Sequence, residues 1–317
     1  MKVKISMFMN TALKKLMATR AMAWVLLATC SLPTGFGGHA FAQAPAAPIE
    51  SNAKSLLEKH AALQTELVSN AYGRPLFLES VENPSMITGN AYAVLDAPFA
   101  TVSSTFKSPR HWCDVMILHI NTKYCRAVQD TSPSMLKVNV GKKSEQDLSD
   151  TFALEFAMRT VAATTDYLAL QLNAEKGPLG TRNYRIELEA APLRDGKTFM
   201  HLRFSYGYGL TGRLAMQGYL ATVGSGKAGF TQTSRGNTPT YVGGMRGAVE
   251  RNTMRYYLAI DAYLSSQQLP AAQQFNARLN KWFNATEQYP AQFGDLDKEE
   301  YLSMKKNEYR RQTAAGS

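Results

Sequence analysis

Two histidines and two cysteines lie close together in the sequence and have side chains that can bind metals: His111, Cys113, His119 and Cys125. Their spacing fits no zinc signature, and the chain has no Cys-x-x-Cys motif. If the first 42 residues are removed as a leader (see below), Cys113 and Cys125 are the remaining cysteine pair, which is typical of a disulfide in an oxidising compartment. We therefore expect a disulfide worth about 2–3 kcal/mol, and no metal site.

No motif in the sequence assigns catalysis. The chain has neither the Gly-x-Ser-x-Gly turn of a hydrolase nucleophile nor a His-Glu-x-x-His zinc motif. His119 is the one histidine in an apolar run, and we interpret it as a buried core residue, with a general base as the alternative. Glu155, Glu187 and Glu189 alternate to the outer face of predicted strands, so no paired-carboxylate site is expected. We expect no catalytic residue and no cofactor.

Aromatic side chains with a few polar groups form a more informative set. One face of a predicted strand over residues 200–208 is aromatic, and a later helix adds tyrosines and one acid. An apolar cavity with few polar groups suits an amphipathic ligand, although the same side chains can simply fill a core. Asp261 has the further alternative of an exposed helix charge. The candidate ligand-binding residues are Phe204, Tyr206, Tyr208, Met216, Tyr257 and Asp261, with Tyr256 beside them.

The middle of the chain predicts the sheet that would position these side chains. Four segments between about residues 152 and 208 alternate apolar and polar residues with period two. The connections at 173–180 and 194–196 are short, which implies antiparallel neighbours. A fifth segment, Leu214 to Val223, is expected to extend the sheet. We predict one apolar face and one solvent-exposed face, with His201 on the exposed face.

Helical periodicity occurs before and after this sheet. A capped helix is predicted from residue 51 or 52 to about 70, and a long helix from about Val242 to Leu264. Pro270 opens another helix, which ends near Tyr289. Shorter elements are a strand at 76–81, a strand at 91–96 and a helix at 99–106. The order predicts an α+β fold, in which the long helix covers the apolar face of a curved antiparallel sheet.

The first 42 residues have the order of a secretory signal: a basic start, a short apolar run at 21–29 and small residues at Ala40 and Ala42. The apolar run is too short to cross a bilayer, which takes about 20 residues. We therefore expect an exported, periplasmic protein. An alternative is a lipid anchor, because residues 27–30 resemble a lipobox that ends at Cys30.

The charge balance gives little support for nucleic-acid binding. The chain has 35 basic and 25 acidic residues, a formal charge of +10. Five of the basic residues lie in the predicted leader, so the mature chain has 30 basic and 25 acidic residues and a charge of +5. Lys305, Lys306, Arg310 and Arg311 form a basic tail, interpreted as a solvated helix face or frayed terminus, with transient contact with an anionic membrane surface as the alternative.

Residues Gly89 to Phe99, which contain Asp-Ala-Pro, are followed by a short helix and by Pro109-Arg-His-Trp112. This succession, and the segment Gly243 to Arg251 at the start of the long helix, resembles the START-like (SRPBCC, helix-grip) superfamily. The resemblance covers about 88–265. It implies a START-like domain at 88–265. With the leader and the flanking helices, the expected division is a signal peptide at 1–42, a linker and helix at 43–87, this domain, and a helical extension at 266–317.

The resemblance also implies a deep pocket between the sheet and the long helix, in which relatives hold lipids, sterols or polyketides. It implies no activity, because such a fold serves carriers and enzymes alike. We expect an exported protein that binds a lipid-like hydrophobic or amphipathic molecule, as a periplasmic carrier. The alternatives are a cyclase or hydrolase on the same fold, and an interaction protein that binds a partner through its terminal helices.

Overall fold

An eight-stranded antiparallel sheet organises the structure. The computed structural model describes residues 52–129, 131–222, 226–233 and 240–314, so the predicted leader and Cys30 lie outside the described residues. The strand order is β1-β2-β8-β7-β6-β5-β4-β3, and every neighbouring pair is antiparallel. The strands are β1 Leu76–Asn83, β2 Met86–Leu95, β3 Thr122–Val128, β4 Ser134–Val140, β5 Phe152–Ala163, β6 Leu168–Lys176, β7 Thr181–Pro192 and β8 Thr198–Tyr208.

Helices lie before, within and after this sheet in the sequence. They are α1 Ala53–Ala62, α2 Gln64–Val68, α3 Phe99–Phe106, α4 Pro109–Met116, α5 Leu210–Thr222, α6 Gly244–Ser266, α7 Ala271–Thr286 and α8 Lys298–Ala314. Asn52 caps α1 by accepting the backbone N–H of Ser55 at 3.0 Å. Among the described residues, no helix combines the length and apolar character needed to cross a membrane.

The predicted α+β fold is confirmed, and alternation along the strands explains how its core forms. Leu154, Phe156 and Met158 of β5 are buried, as are Ile186 and Leu188 of β7. Because side chains alternate across a strand, these residues form one apolar face. The long helix α6 packs against β1, β2 and β8 on that face. This is the helix-grip arrangement, in which a curved sheet holds one long helix.

Helices α7 and α8 also pack into this core. Leu279 and Trp282 of α7 and Tyr301 and Met304 of α8 belong to the same buried apolar cluster as the strands. The division of the chain at 87/88 and 265/266 stays a prediction, and the described elements on both sides of each boundary share one core.

The long helix lies very close to the sheet at Gly89 in β2. A Cβ atom added to Gly89 would lie 2.3 Å from Thr253 Oγ1 and 3.4 Å from the Val249 carbonyl oxygen, both on α6. The Thr253 hydroxyl donates a hydrogen bond to Val249 O at 2.9 Å, so it is not free to move aside. The absence of a side chain at residue 89 therefore sets the distance between α6 and the sheet.

Replacing Gly89 with alanine is expected to lower the free energy of unfolding by about 1–3 kcal/mol, because the added methyl group overpacks this contact. Urea unfolding would measure the change. The matched control is Gly218→Ala in α5, where an added Cβ meets no atom within 4 Å. Since alanine favours helix over glycine, this control is expected to be neutral or to stabilise by up to about 1 kcal/mol. Equal effects of the two substitutions would contradict the close-contact interpretation.

The outer face of the sheet is not simply exposed to solvent, which corrects the sequence prediction. A second apolar cluster forms there between α1, α2 and the strands, from Leu56, Leu63, Leu67, Tyr92, Tyr167, Ala169, Ala191 and Phe199. His201 lies in this region and is buried rather than exposed. Its Nδ1 is 2.9 Å from Glu189 Oε2 and its Nε2 is 3.0 Å from Asn90 Oδ1, and the ring stacks on Tyr92. Both ring nitrogens therefore have partners.

The segment predicted as a fifth extending strand, Leu214 to Val223, is helical as far as it is described, within α5. The sheet explains why: β8 lies between β2 and β7, so both of its edges are already paired. The chain therefore leaves the sheet after β8. Met216 and Leu220 pack against the core, while Leu210 and Leu214 point to solvent, as helical periodicity allows.

Candidate functional site

A cluster of aromatic rings lies between the sheet and α6. Tyr184 of β7 stacks on Tyr206 of β8, with ring centres 5.1 Å apart, and Phe204 lies 5.9 Å from Tyr206. Tyr256 of α6 completes the cluster from the helix side, 5.5 Å from Phe204. Because β7 and β8 are adjacent and antiparallel, Ile186 pairs with Phe204 and brings these rings together. We call Tyr184, Phe204, Tyr206 and Tyr256 the aromatic cluster.

Of the three hydroxyl groups in this cluster, only that of Tyr184 has a hydrogen-bond partner among the described residues. The hydroxyls of Tyr184 and Thr181 are 2.8 Å apart, within hydrogen-bonding distance. Those of Tyr206 and Tyr256 have no hydrogen-bond partner among the described residues. Burial raises the pKa of Tyr184 to about 12 and raises the pKa values of Tyr206 and Tyr256 further, so all three stay protonated and neutral. Two hydroxyl donors, one on β8 and one on α6, therefore lack a protein acceptor among the described residues.

Tyr184 and Tyr256 also retain part of their accessible surface, although protein surrounds their hydroxyl groups closely enough to raise the pKa values. We call the place where β7 and β8 meet α6 at this cluster the hollow, after the pocket that the sequence resemblance predicts there.

His119 lies against the helix side of this cluster, with its ring centre 4.9 Å from that of Tyr256. It is only 5% exposed. Its Nδ1 accepts the backbone N–H of Asn121 at 3.2 Å. Among the described residues its Nε2 has no partner that meets hydrogen-bond geometry. The Asn252 side chain is nevertheless close enough to the imidazole to act on it as a hydrogen-bonding group. Burial lowers the pKa of His119 well below its ordinary value, and Arg255, Lys305 and Lys143 lower it further, while Asn252 acts in the opposite direction. The ring is therefore neutral and, with Nδ1 accepting, carries its proton on Nε2.

The loop that carries His119 is held rigidly from several directions. A disulfide between Cys113 and Cys125 closes the segment around it, so the predicted cysteine pairing is confirmed. Tyr301 of α8 donates its hydroxyl to the Leu118 carbonyl at 2.9 Å. Lys305, also in α8, donates to the carbonyl oxygens of His119 and Thr122, each at 2.7 Å. The loop is thus fixed around a histidine whose Nε2 has no geometrically acceptable partner in the described part of the chain.

These contacts correct the interpretation of the basic tail at Lys305, while Lys306 and Arg310 lie on an exposed helix face as expected. Lys305 is not on a solvated face but fully buried, and it pairs with Glu308 at 2.7 Å. Lys123 of β3 is equally buried and reaches the other oxygen of Glu308 at 3.0 Å. One carboxylate therefore holds two buried ammonium groups and joins α8 to β3.

A second charged cluster surrounds Asp295, just before α8. Its carboxylate lies 2.7 Å from Arg255 of α6 and 2.6 Å from Lys143, with Lys227 at 3.6 Å. Burial by itself raises the pKa of Asp295, but these three cations outweigh it and hold the pKa below its ordinary value. Since Arg255 and Lys143 also act on His119, the imidazole lies in a region of positive potential.

The six predicted site residues do not all meet. Phe204 and Tyr206 belong to the aromatic cluster. Tyr208 is buried at the end of β8, 6.5 Å from Tyr206 between ring centres, and donates its hydroxyl to the Asn83 carbonyl at 2.8 Å. Met216 packs against the same core from α5, on a helix rather than a strand.

Tyr257 and Asp261 lie on another side of α6. Asp261 pairs with Arg74 at 3.5 Å and with Lys281 at 3.3 Å. Burial raises the pKa of Tyr257 to about 12, and its charged neighbours are Asp261 and Arg74. Consecutive helix residues point about 100° apart, so Tyr256 rather than Tyr257 reaches the aromatic cluster.

The sequence prediction did not include Tyr184, named Tyr256 only beside the candidate residues, and interpreted His119 as a core residue with a general base as the alternative. Tyr184 did have a signal, since it alternates with Ile186 and Leu188 on the apolar face of β7. No sequence pattern predicts that the His119 Nε2 atom lacks a partner, because this depends on which groups of other elements come close to it in the folded protein. Among the described residues, no cluster of histidine, cysteine or acidic side chains could hold a metal ion.

Comparison with known proteins gives weak structural similarities only. No protein-family model and no curated protein matches the sequence. Among solved structures, the human StarD13 (DLC2) lipid transfer and protein localization domain is similar with a TM-score of 0.30 and 11% identity, over 52% of this chain and 88% of that one. A protein from Arthrobacter aurescens has a TM-score of 0.29 and 16% identity, over 58% and 87%.

Proposed function

We propose that this protein binds a hydrophobic or amphipathic, lipid-like small molecule between its sheet and α6, and that it acts as a carrier outside the cytoplasm. The observation that supports the proposal is the aromatic cluster, in which surrounding protein raises the pKa values of Tyr206 and Tyr256 while their hydroxyls lack protein partners among the described residues. A filled core would be expected to satisfy such groups, because a buried donor without an acceptor costs about 1–3 kcal/mol.

The extracytoplasmic part of the proposal has separate support. The sequence begins with a basic segment, then a short apolar run, then small residues, and this order is typical of a signal peptide. The Cys113–Cys125 disulfide is compatible with an oxidising compartment. A carrier that works in a periplasm would need this combination of an export signal, a stable disulfide and an enclosed apolar site.

The test is to purify the mature protein from its native host, extract it with organic solvent and identify bound molecules by mass spectrometry. We expect close to one lipid-like molecule for each protein chain. Tyr256→Trp adds bulk inside the hollow and is expected to reduce that occupancy at least about tenfold, which corresponds to about 1.4 kcal/mol. The matched control is Leu210→Trp, which adds the same ring at a side chain that is 76% exposed, and is expected to leave occupancy unchanged.

Three results would contradict the proposal. If neither the native protein nor the refolded protein incubated with a lipid panel holds a molecule, the hollow is not a lipid site. If Leu210→Trp and Tyr256→Trp lose the ligand equally, the bound molecule lies elsewhere. If the bound molecule is chemically converted over time, and one polar substitution abolishes this, the protein is an enzyme rather than a carrier.

A further inference from the structure

The unpartnered groups beneath α6 are donors, and this limits what can bind there. His119 presents an N–H, because its other nitrogen already accepts the Asn121 backbone. Tyr256, whose ring contacts the His119 ring, presents a hydroxyl without a partner. A bound group that satisfies both must supply acceptor oxygens, and it needs no proton of its own.

The charge around His119 favours an anionic acceptor. Among the described residues, two charged clusters lie near this region: a partly buried one of Asp295 with Arg255, Lys143 and Lys227, and a buried one of Glu308 with Lys123 and Lys305. In these two clusters, five basic side chains meet two carboxylates. A buried anion is costly unless nearby positive charge compensates it, and here the compensation is already in place.

The position of His119 is also fixed before any ligand arrives. The Cys113–Cys125 disulfide, the Tyr301 hydroxyl and the Lys305 ammonium group together hold the loop, so the imidazole keeps its orientation. Such a preorganised donor loses little entropy on binding. The rings of Phe204 and Tyr184 lie beyond Tyr256, where an aliphatic chain can pack against them.

From this geometry we infer that the ligand is a carboxylate with an aliphatic chain, such as a fatty acid, and that His119 Nε2–H and the Tyr256 hydroxyl bind its carboxylate. The inference rests on the proposed function and specifies the polar end of the ligand. His119 and Tyr256 are then ligand-binding residues, with the chain of the ligand directed towards the aromatic cluster.

The test uses the delipidated full-length mature protein and two fluorescent probes, cis-parinaric acid and its methyl ester. The wild-type protein is expected to bind the acid roughly 10- to 100-fold more tightly than the ester, which is the effect of a hydrogen bond to a charged group. His119→Asn keeps an acceptor near the Nδ1 position for the Asn121 N–H and removes the inner donor. It is expected to weaken acid binding by a similar factor and ester binding by less than about threefold.

Three further variants complete the design. His119→Gln keeps a donor near the Nε2 position and is expected to retain part of the preference for the acid. Tyr256→Phe removes only a hydroxyl and is expected to weaken binding of the acid, but not of the ester, several-fold. This variant keeps the test decisive if the histidine variants fold poorly. His60→Asn, the matched control, makes the same replacement in α1 on the other face of the sheet, next to Phe199, and is expected to keep wild-type values.

The outcomes separate this inference from the proposed function. If acid and ester bind with equal affinity, or if His119→Asn and Tyr256→Phe weaken both probes equally, the carboxylate assignment is wrong while lipid binding stands. If neither probe binds to the wild-type protein at micromolar concentration, both the assignment and the proposed carrier function fail. Unfolding midpoints of all variants show whether a loss of binding reflects a loss of fold.

Discussion

Substituting Glu250 with alanine is expected to lower the free energy of unfolding by about 3–5 kcal/mol, because one fully buried carboxylate in α6 satisfies several groups at once. Its oxygens accept the Ser80 hydroxyl at 2.5 Å, the Thr231 hydroxyl at 2.7 Å, and the backbone N–H groups of Phe230 and Thr231 at 2.6 and 2.9 Å. Alanine would leave these donors buried without acceptors. Guanidinium or urea unfolding would measure the loss.

The same substitution is expected to release the segment that Glu250 holds. Glu250 and its neighbour Arg251, which donates to the Lys227 and Ala228 carbonyls, together fix residues 227–231 on α6. Trypsin should therefore cleave at Lys227 several times faster in Glu250→Ala. Glu58→Ala, at an exposed position in α1, is the control and should change the unfolding free energy by less than about 0.5 kcal/mol. Unchanged cleavage and stability in Glu250→Ala would show that the segment is held by other contacts.

Replacing Glu308 with alanine is the second substitution from which we expect a large loss of stability. It leaves Lys123 and Lys305 buried without their shared carboxylate, and breaking a buried ion pair from one side costs about 3–5 kcal/mol. Since Lys305 also fixes the His119 loop, the variant is expected to lose binding at the hollow along with stability. Glu300→Ala, at an exposed position in the same helix, should change stability by less than about 0.5 kcal/mol. An equally small effect at Glu308 would mean that the triad is not a structural link.

The triad also predicts a pH dependence. Burial lowers the pKa of Lys305 to about 8 from its ordinary 10.5, with Glu308 opposing and Lys123 adding to this shift. Between these two values the unfolded chain binds more protons at this residue than the folded protein does. The Lys305 contribution to the free energy of unfolding therefore rises with pH, by up to about 1.4 kcal/mol per unit.

Unfolding measured from pH 7.5 to about 9.5 tests this, because raised tyrosine pKa values act in the opposite direction above about pH 10. The wild-type free energy should rise more steeply with pH than that of Lys305→Met, whatever the absolute stability of the variant. Parallel slopes would show that Lys305 keeps an ordinary pKa in the folded protein.

The elements were predictable where one periodicity dominates a long segment. Strands β5 to β8 and the helix α6 each bury one regular face, and their side-chain spacing shows this without any knowledge of the neighbours. The segment after β8 was wrongly predicted as a strand, because a short apolar segment such as 214–223 is compatible with both periods. Both edges of β8 are occupied, so this segment cannot pair with the strand that precedes it in the sequence. The burial of His201 was missed for a similar reason, since α1 and α2 cover the outer face from a distant part of the sequence.

The sequence by itself determined the α+β class, the long helix over a curved antiparallel sheet, the cysteine pair and the aromatic character of β8. These features depend on local periodicity and residue type. The tertiary structure alone decided that Tyr256 rather than Tyr257 meets Phe204, that Lys305 is buried against Glu308, and that no described group forms a well-aligned hydrogen bond with His119 Nε2. Each of these depends on the rotation of a helix or on the meeting of groups far apart in the chain, and neither is encoded in the spacing of neighbouring residues.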